Sequence, residues 1–373
     1  MEDLFPQSET SPPLSNPTAK PKVAITLGDP SGIGPEVVLG CWKDPKIHDL
    51  ADLFVVGSST FLKEVTKLTP FGGQFVEISS PDEVASDPQT VPVLECYPRS
   101  LTKTIRPCHI SAGGGEAAYL ALKIATDMAL RGEIAALVTA PLHKEGLHLA
   151  GYDYPGHTEI LADLCEVDDF AMMLYLAQGG PIRGPLGLGV VHVTLHTALR
   201  TVFEQISTEK ILSKIRLSDR VTSLFLKQAR EEGVAGLPDQ PRIGICSLNP
   251  HGGEGGLFGD EEKTLIRPAV EQAQSIDISA TGPLPTDTLM VRAAGGEFDS
   301  IVAMYHDQGH IALKLLGMHH AVNITLGLPI IRTSVAHGTA YDLAWQGKAE
   351  TSSMVAAIES AAILARHQKT FSW

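Results

Sequence analysis

Fourteen of the 373 residues are histidine, and three of these follow directly on apolar runs. His196 ends Val190-Val191-His192-Val193-Thr194-Leu195, His251 comes after Ile243-Gly244-Ile245-Cys246-Ser247-Leu248-Asn249-Pro250, and His306 comes after Ile301-Val302-Ala303-Met304-Tyr305. Neutral imidazole is a common ligand for a first-row divalent cation, and a catalytic metal site needs about three protein ligands with positions left open for substrate. Each histidine can equally be a hydrogen-bonded structural residue, and what favours the metal is the repeated placement behind a buried strand. His192 lies inside its apolar run and reads as a core histidine. His319 and His320 have no chelating spacing and read as surface residues.

An anionic substrate needs fixed cations. Lys314 lies eight residues beyond His306, Arg332 closes the apolar run Leu328-Pro329-Ile330-Ile331, and Asn323 between them offers both a donor and an acceptor. Arginine presents a rigid fork that matches phosphate or carboxylate, and lysine a point charge. Two glycine-rich segments invite close approach of a ligand to the backbone. Around His251 the glycines Gly252, Gly253 and Gly255 are candidates for contacting a cofactor or its pyrophosphate. The turn at 28–36 fits neither the dinucleotide fingerprint, because its glycines fall at Gly28, Gly32 and Gly34, nor the phosphate-loop pattern ending in Gly-Lys-Ser/Thr. A tight strand-to-helix turn is the alternative.

These groups must be held by an α/β framework. Apolar, β-rich runs at 23–27, 53–57, 135–139, 172–175, 188–193, 243–248 and 301–305 predict buried strands. Helical patterns from about 59, over 115–131, over 207–231 and over 351–367 alternate with them, the signature of an α/β fold. Ligands in such sheets gather beyond the carboxyl ends of strands, so polar clusters at Gly28, Thr139, His196, Asn249 and His306 are expected to meet in one crevice. The formal net charge of −14 argues against a nucleic-acid binder. Five cysteines without a CxxC pair argue for a reducing, cytoplasmic setting. No window suggests a membrane span, and the Pro/Ser-containing first 21 residues read as a disordered leader rather than a signal peptide.

The chain resembles the 4-hydroxythreonine-4-phosphate dehydrogenase family of vitamin B6 biosynthesis over about residues 22–370. The resemblance rests on Gly28-Asp29-Pro30-Ser31-Gly32-Ile33-Gly34-Pro35-Glu36, Pro155-Gly156-His157-Thr158-Glu159, Asn249-Pro250-His251-Gly252-Gly253-Glu254-Gly255-Gly256, Gly282-Pro283-Leu284-Pro285-Thr286-Asp287-Thr288, Met304-Tyr305-His306-Asp307-Gln308-Gly309 and Asn323-Ile324-Thr325-Leu326-Gly327-Leu328-Pro329. It implies two α/β/α domains with a cleft between them, like isocitrate and isopropylmalate dehydrogenases. These are assigned to 22–155 plus 325–373, and to 156–324. It implies one divalent metal (Zn, Mg, Co or Mn) on His196, His251 and His306, and substrate contacts at His157, Thr158, Lys314, Asn323 and Arg332. NAD or NADP is the implied oxidant, in a homodimer whose active site draws on both subunits. The implied reaction oxidises 4-phosphooxy-L-threonine to a 3-keto acid that loses its carboxylate to give 3-amino-2-oxopropyl phosphate, on the way to pyridoxine 5'-phosphate. Asp287 and Asp307 are candidates for orienting a ligand histidine or relaying a proton.

His310 departs from the family pattern, where an apolar residue is common. Relatives with histidine there resemble dehydrogenases of four-carbon sugar-acid phosphates such as D-threonate or D-erythronate 4-phosphate, the alternative substrate class. A non-catalytic metal- or phosphate-binding protein on this fold is a second alternative. A hydrolase using His251 and Glu254 is a third, with no nucleophile elbow to support it.

Overall fold

The computed structural model describes residues 20–367. Residues 1–19 of the expected leader lie outside them. In chain order the strands are β1 (Lys22–Thr26), β2 (Asp52–Gly57), β3 (Gln74–Glu77), β4 (Thr90–Glu95), β5 (Ala136–Thr139), β6 (Ala171–Leu176), β7 (Leu188–His192), β8 (Ile243–Cys246), β9 (Ala280–Leu284), β10 (Ser300–Ala303), β11 (Val322–Leu326) and β12 (Arg332–Val335). They form one sheet in the order β3-β4-β2-β1-β5-β12-β11-β6-β7-β10-β8-β9. Strands from the first part of the chain, joined by β12, make one half. Strands β6 to β11 make the other.

Both faces of the sheet are covered, because successive strand residues point to opposite sides. Val23, Ile25, Leu53 and Val55 pack with Val37, Val38, Ile358 and Ala361 from helices Gly34–Cys41 and Ser352–His367. Their neighbours Ala24, Phe54 and Val56 pack on the other side with Leu122, Ala125 and Ile160 from helices Ala112–Leu130 and His157–Leu164. In the second half Ile243, Ile245 and Val302 meet Ile211 and Ile215 of helix Thr208–Glu231, whereas Val190, Ile301 and Ala303 meet Leu289 and Leu313 on the opposite face. The fold is thus mixed α/β around one large sheet.

The long apolar runs become strands close to where the sequence places them, although β8 and β10 stop at Cys246 and Ala303, earlier than expected. Strand directions change the expectation of a single crevice. The parallel set β1, β5 and β12 is joined to the parallel set β7, β10 and β8 through the antiparallel pairs β12/β11, β11/β6 and β6/β7. The two sets therefore run in opposite senses along the ladder. The turn after β1 packs on Ala140–Pro141 and on segment 339–347. Ile33 N–H donates to the Thr339 carbonyl, and the Asp29 carboxylate accepts from Ser31 N–H and Tyr341 Oη–H. Among the described residues no hydrogen bond joins that turn to the histidines. It is a tight turn: at Gly28, with φ +63°, a Cβ would lie 2.1 Å from the Pro141 carbonyl oxygen.

Candidate metal and anion site

The three strands that precede the candidate imidazoles are neighbours. β10 lies between β7 and β8, parallel to both, so His196, His306 and His251 all leave the same edge of the sheet. Gln308 secures the His306 turn: Met304 N–H donates to its side-chain oxygen at 2.7 Å, and its amide donates to the Ser247 carbonyl at 2.7 Å. His306 opens helix His306–Gly317, and its ring centroid lies 5.8 Å from that of His196. The two rings and Asp307 border an open cavity of about 420 Å³.

His251 sits on a different support. His251, Gly252, Gly253, Glu254 and Gly255 have φ values of 52°, 72°, 77°, 46° and 70°, five consecutive residues in the left-handed region. Glycine adopts this freely, but His251 and Glu254 do so at a cost of about 1–2 kcal/mol each. Buried Glu262 holds the turn. Its Oε1 accepts from Leu248 N–H (2.8 Å) and Asn249 N–H (2.7 Å), and its Oε2 accepts from the Asn249 side-chain amide (3.0 Å). Burial pushes the Glu262 carboxyl upward, but those hydrogen bonds outweigh it and bring its pKa below the ordinary value. Gly253 packs against Glu262, whereas Gly252 and Gly255 face open space.

Within one protomer the structure brings His196 and His306 together, and no ring contact joins His251 to them. Among the described residues no three His, Cys, Asp or Glu side chains converge on an ion-sized point. The donor chemistry nevertheless fits a divalent cation. His306 Nδ1 faces Asp307 Oδ1 at 2.7 Å, His251 Nδ1 faces Glu254 Oε1 at 3.1 Å, and His196 Nδ1 faces Glu159 Oε1 at 3.7 Å. For His306 and His251 a carboxylate takes Nδ1 and leaves Nε2 uncommitted, the usual arrangement of a ligating histidine with its outer partner, and for His196 the Glu159 carboxylate stands near Nδ1 without a hydrogen bond. Asp307 thus lies where an orienting group is expected. Asp287 does not. It is exposed at the start of helix Thr286–Ala294 and accepts from Thr288 N–H at 2.9 Å.

Two further imidazoles adjoin the pair. His310 stacks on His306, with ring centroids 3.8 Å apart and planes 13° from parallel. His310 Nδ1 lies 3.1 Å from His192 Nε2, and His192 Nδ1 lies 3.4 Å from the Met172 carbonyl. Both are buried. Burial pushes the His192 pKa down to about 4, and burial with the neighbouring His192 pushes that of His310 down to about 2. Both rings are neutral at pH 7.

The anion side centres on Arg332, which is 1% exposed. Thr325 is its cross-strand partner on β11, so Asn323, two residues earlier, shares its face of the sheet. Arg332 donates to Thr325 Oγ1 at 3.0 Å and to Thr139 Oγ1 at 2.7 Å, while its Nε and the Asn323 Oδ1 are buried without a hydrogen-bond partner. Burial pulls the Arg332 pKa down to about 9, with Glu159 opposing. A guanidinium at this depth normally has an anion beside it. His157 is held well below the ordinary histidine pKa by burial and then by the Arg332 charge. His157 and buried Thr158 open the helix whose next residue, Glu159, faces His196, so one helix spans the anion site and the imidazoles. Lys314 is half-buried, two turns along the helix from His306 and near enough to act on His310.

Comparison with known proteins bears on this arrangement. The pattern of the pyridoxal phosphate biosynthetic protein PdxA family matches residues 49–361. The chain belongs to the PdxA family. Among its relatives, the 4-hydroxythreonine-4-phosphate dehydrogenase of Trichlorobacter lovleyi is 43% identical over 357 residues, 93% of this chain and 98% of the relative. The D-threonate 4-phosphate dehydrogenase of Salmonella typhimurium is 42% identical over 348 residues, 92% and 98% of the two chains. A crystal structure of 4-hydroxythreonine-4-phosphate dehydrogenase from Klebsiella pneumoniae superposes with a TM-score of 0.78 at 40% identity, covering 94% of this chain and 99% of that one. Among the described residues no helix is long and apolar enough to cross a membrane.

Sequence reasoning gave no role to several members of the cluster. Glu159 and Thr325 carry no pattern of their own, and Thr139 is expected only as a polar strand end. His192 and His310 did carry a signal, because His310 lies one helical turn from His306, the spacing that places side chains on one face.

Proposed function

We propose that this PdxA-family chain is a nicotinamide-linked, metal-assisted dehydrogenase of a small phosphorylated hydroxy acid, in which oxidation of the alcohol is followed by loss of the carboxylate. The observation that carries this reading is the meeting of His196 and His306, each with a carboxylate on its Nδ1 side and Nε2 free, together with a buried Arg332 whose Nε has no hydrogen-bond partner. His196, His306 and His251 would hold the cation. When bound, a divalent cation supplies Lewis acidity toward an alcohol or ketone oxygen, and NAD or NADP supplies the hydride acceptor.

The chain's own residues do the rest. Arg332, with Asn323 on the same face and Lys314 nearby, binds the phosphate or carboxylate and fixes the substrate relative to the imidazoles. The Thr158 hydroxyl can donate to its oxygens, and neutral His157, its one N–H given to the Ala140 carbonyl, can accept from a substrate hydroxyl. Asp307, Glu159 and Glu254 hold the ligand rings at Nδ1. Gly252 and Gly255 leave open backbone for the nucleotide. Exposed Leu257 and Phe258 beside His251, and exposed Ile311 and Leu315 on the His306 helix, support a homodimer that completes the site with residues of both copies. The two halves of the sheet would act as its two domains.

4-Hydroxythreonine 4-phosphate is the substrate we assign first. D-threonate 4-phosphate is the second reading, favoured by the Salmonella typhimurium relative and by His310 beside the imidazoles. The test follows reduced-nicotinamide absorbance with each substrate, NAD or NADP, and added Zn, Mg, Co or Mn. Turnover of one substrate that His196→Ala, His306→Ala and His251→Ala each abolish, together with bound metal, supports the assignment. Full activity in any of the three variants removes that residue from it.

A further inference from the structure

The second pair of histidines has a geometry that defines a task. His310 and His306 are parallel to within 13° at 3.8 Å. Imidazole lone pairs lie in the ring plane, so stacked rings cannot both aim at one ion about 2.1 Å away. His310 is therefore no second ligand beside His306. Its own orientation is fixed from behind. The Met172 carbonyl can only accept, which puts the proton of neutral His192 on Nδ1 and leaves Nε2 as an acceptor. That acceptor in turn takes the Nδ1–H of His310. Gly309 permits the approach, because a Cβ there would lie 2.6 Å from His192 Nε2 and 2.6 Å from Val190 Cγ1.

We propose that His310 is a positioning residue for His306: a buried brace running from the Met172 carbonyl through His192 holds the His310 ring flat against one face of His306 and fixes the plane in which His306 presents Nε2. Asp307 fixes the same ring at its edge, so edge and face are both constrained. This inference rests on the reading of His306 as a metal ligand.

The experiment titrates the purified full chain with Co²⁺, following both calorimetric affinity and the visible absorption of the bound ion, in wild type, His310→Ala, His310→Phe and His306→Ala. Thermal melting of each variant is recorded alongside. Loss of an outer partner of a ligand histidine weakens metal binding roughly 10- to 100-fold, and His310→Ala is expected to fall in that range with an altered absorption band. His310→Phe keeps a flat ring but cannot bond to His192, so it is expected to bind between His310→Ala and wild type, and full recovery would show that the His192 tether is not needed. A purely structural role would instead lower the melting temperature of both variants and leave affinity unchanged. Wild-type affinity and spectrum in His310→Ala, with His306→Ala unable to bind, overturns the brace. So does equal weakening in His310→Ala and His310→Phe. Wild-type binding by His306→Ala removes the metal reading itself, a different failure.

Discussion

Glu262→Gln isolates the support of the His251 turn. The wild-type carboxylate accepts three hydrogen bonds at 2.7–3.0 Å while 5% exposed. Glutamine can keep its oxygen toward the Leu248 and Asn249 amides, but hydrogen bonds to a neutral acceptor contribute about 1 kcal/mol less each than those to a charged one. Its NH₂ then meets the Asn249 NH₂, donor against donor. Flipping the Asn249 amide would relieve that clash and break its bond to Glu261 Oε2 at 2.7 Å. Two weakened bonds and one lost bond amount to about 2–4 kcal/mol at pH 7. The pH dependence has a definite sign. The folded-state pKa of Glu262 is lowered, so its contribution is complete above the unfolded value of about 4.3 and is lost as pH falls through the folded value. Urea unfolding of both proteins from pH 7 downward should give a difference that is flat near neutrality and shrinks below about pH 4.3. A difference under about 0.5 kcal/mol at pH 7, or one that stays constant into the acid range, refutes the role assigned to Glu262.

Arg332→Met should separate stability from function. It removes a buried cation that has no carboxylate hydrogen-bonded to it in the described residues, so the melting temperature should hold or rise, while kcat/KM falls by roughly 100- to 1,000-fold, or about 3–4 kcal/mol of lost transition-state binding. Unchanged kinetics would remove it from the anion site. Gly28→Ala should lower stability by more than about 2 kcal/mol, through a left-handed φ and a Cβ driven onto the Pro141 carbonyl. A soluble protein with wild-type melting would contradict the tight-turn reading.

Much of the frame was legible because most of the sheet is doubly buried and its strands are apolar runs. Of the five strands that escaped notice, all but β4 have physical reasons to be silent. β3, Gln74–Glu77, is a largely exposed edge strand, and β9 carries Gly282 and Pro283. β12 reads Arg-Thr-Ser-Val, and β11 alternates Asn323 and Thr325 with apolar residues, since one face of each lines the anion site and cannot be hydrophobic. Residues that make the site thus hide the strands that carry it. His196 and His306 could be picked out because β7 and β10 end just before them. Asp307 could be picked out as well, beside His306, whereas Glu159 could not, because it is distant in sequence from His196. The expectation of one crevice containing the Gly28 turn failed because the antiparallel steps at β11 and β6 reverse the strand sense, and strand order is invisible in a hydrophobicity pattern.

The helix His157–Leu164 gives the site its polarity. Its first residue is held well below the ordinary histidine pKa by burial and then by the Arg332 charge, and its third, Glu159, faces His196 on one side and favours the charged form of Arg332 on the other. The pKa of Glu159 is pushed up by burial and brought down by His196, by its own backbone N–H and by Lys144, for a net decrease, so the carboxylate stays ionised beside both groups. One carboxylate shared between an arginine and an imidazole leaves the guanidinium incompletely matched, and its Nε retains no partner. A second anion is what would balance that charge, and it would be held within reach of the imidazole pair by the same helix. On the proposed reading the helix would link recognition of a charged end to the placement of an oxygen at the other end, which is what oxidation of a phosphorylated hydroxy acid requires.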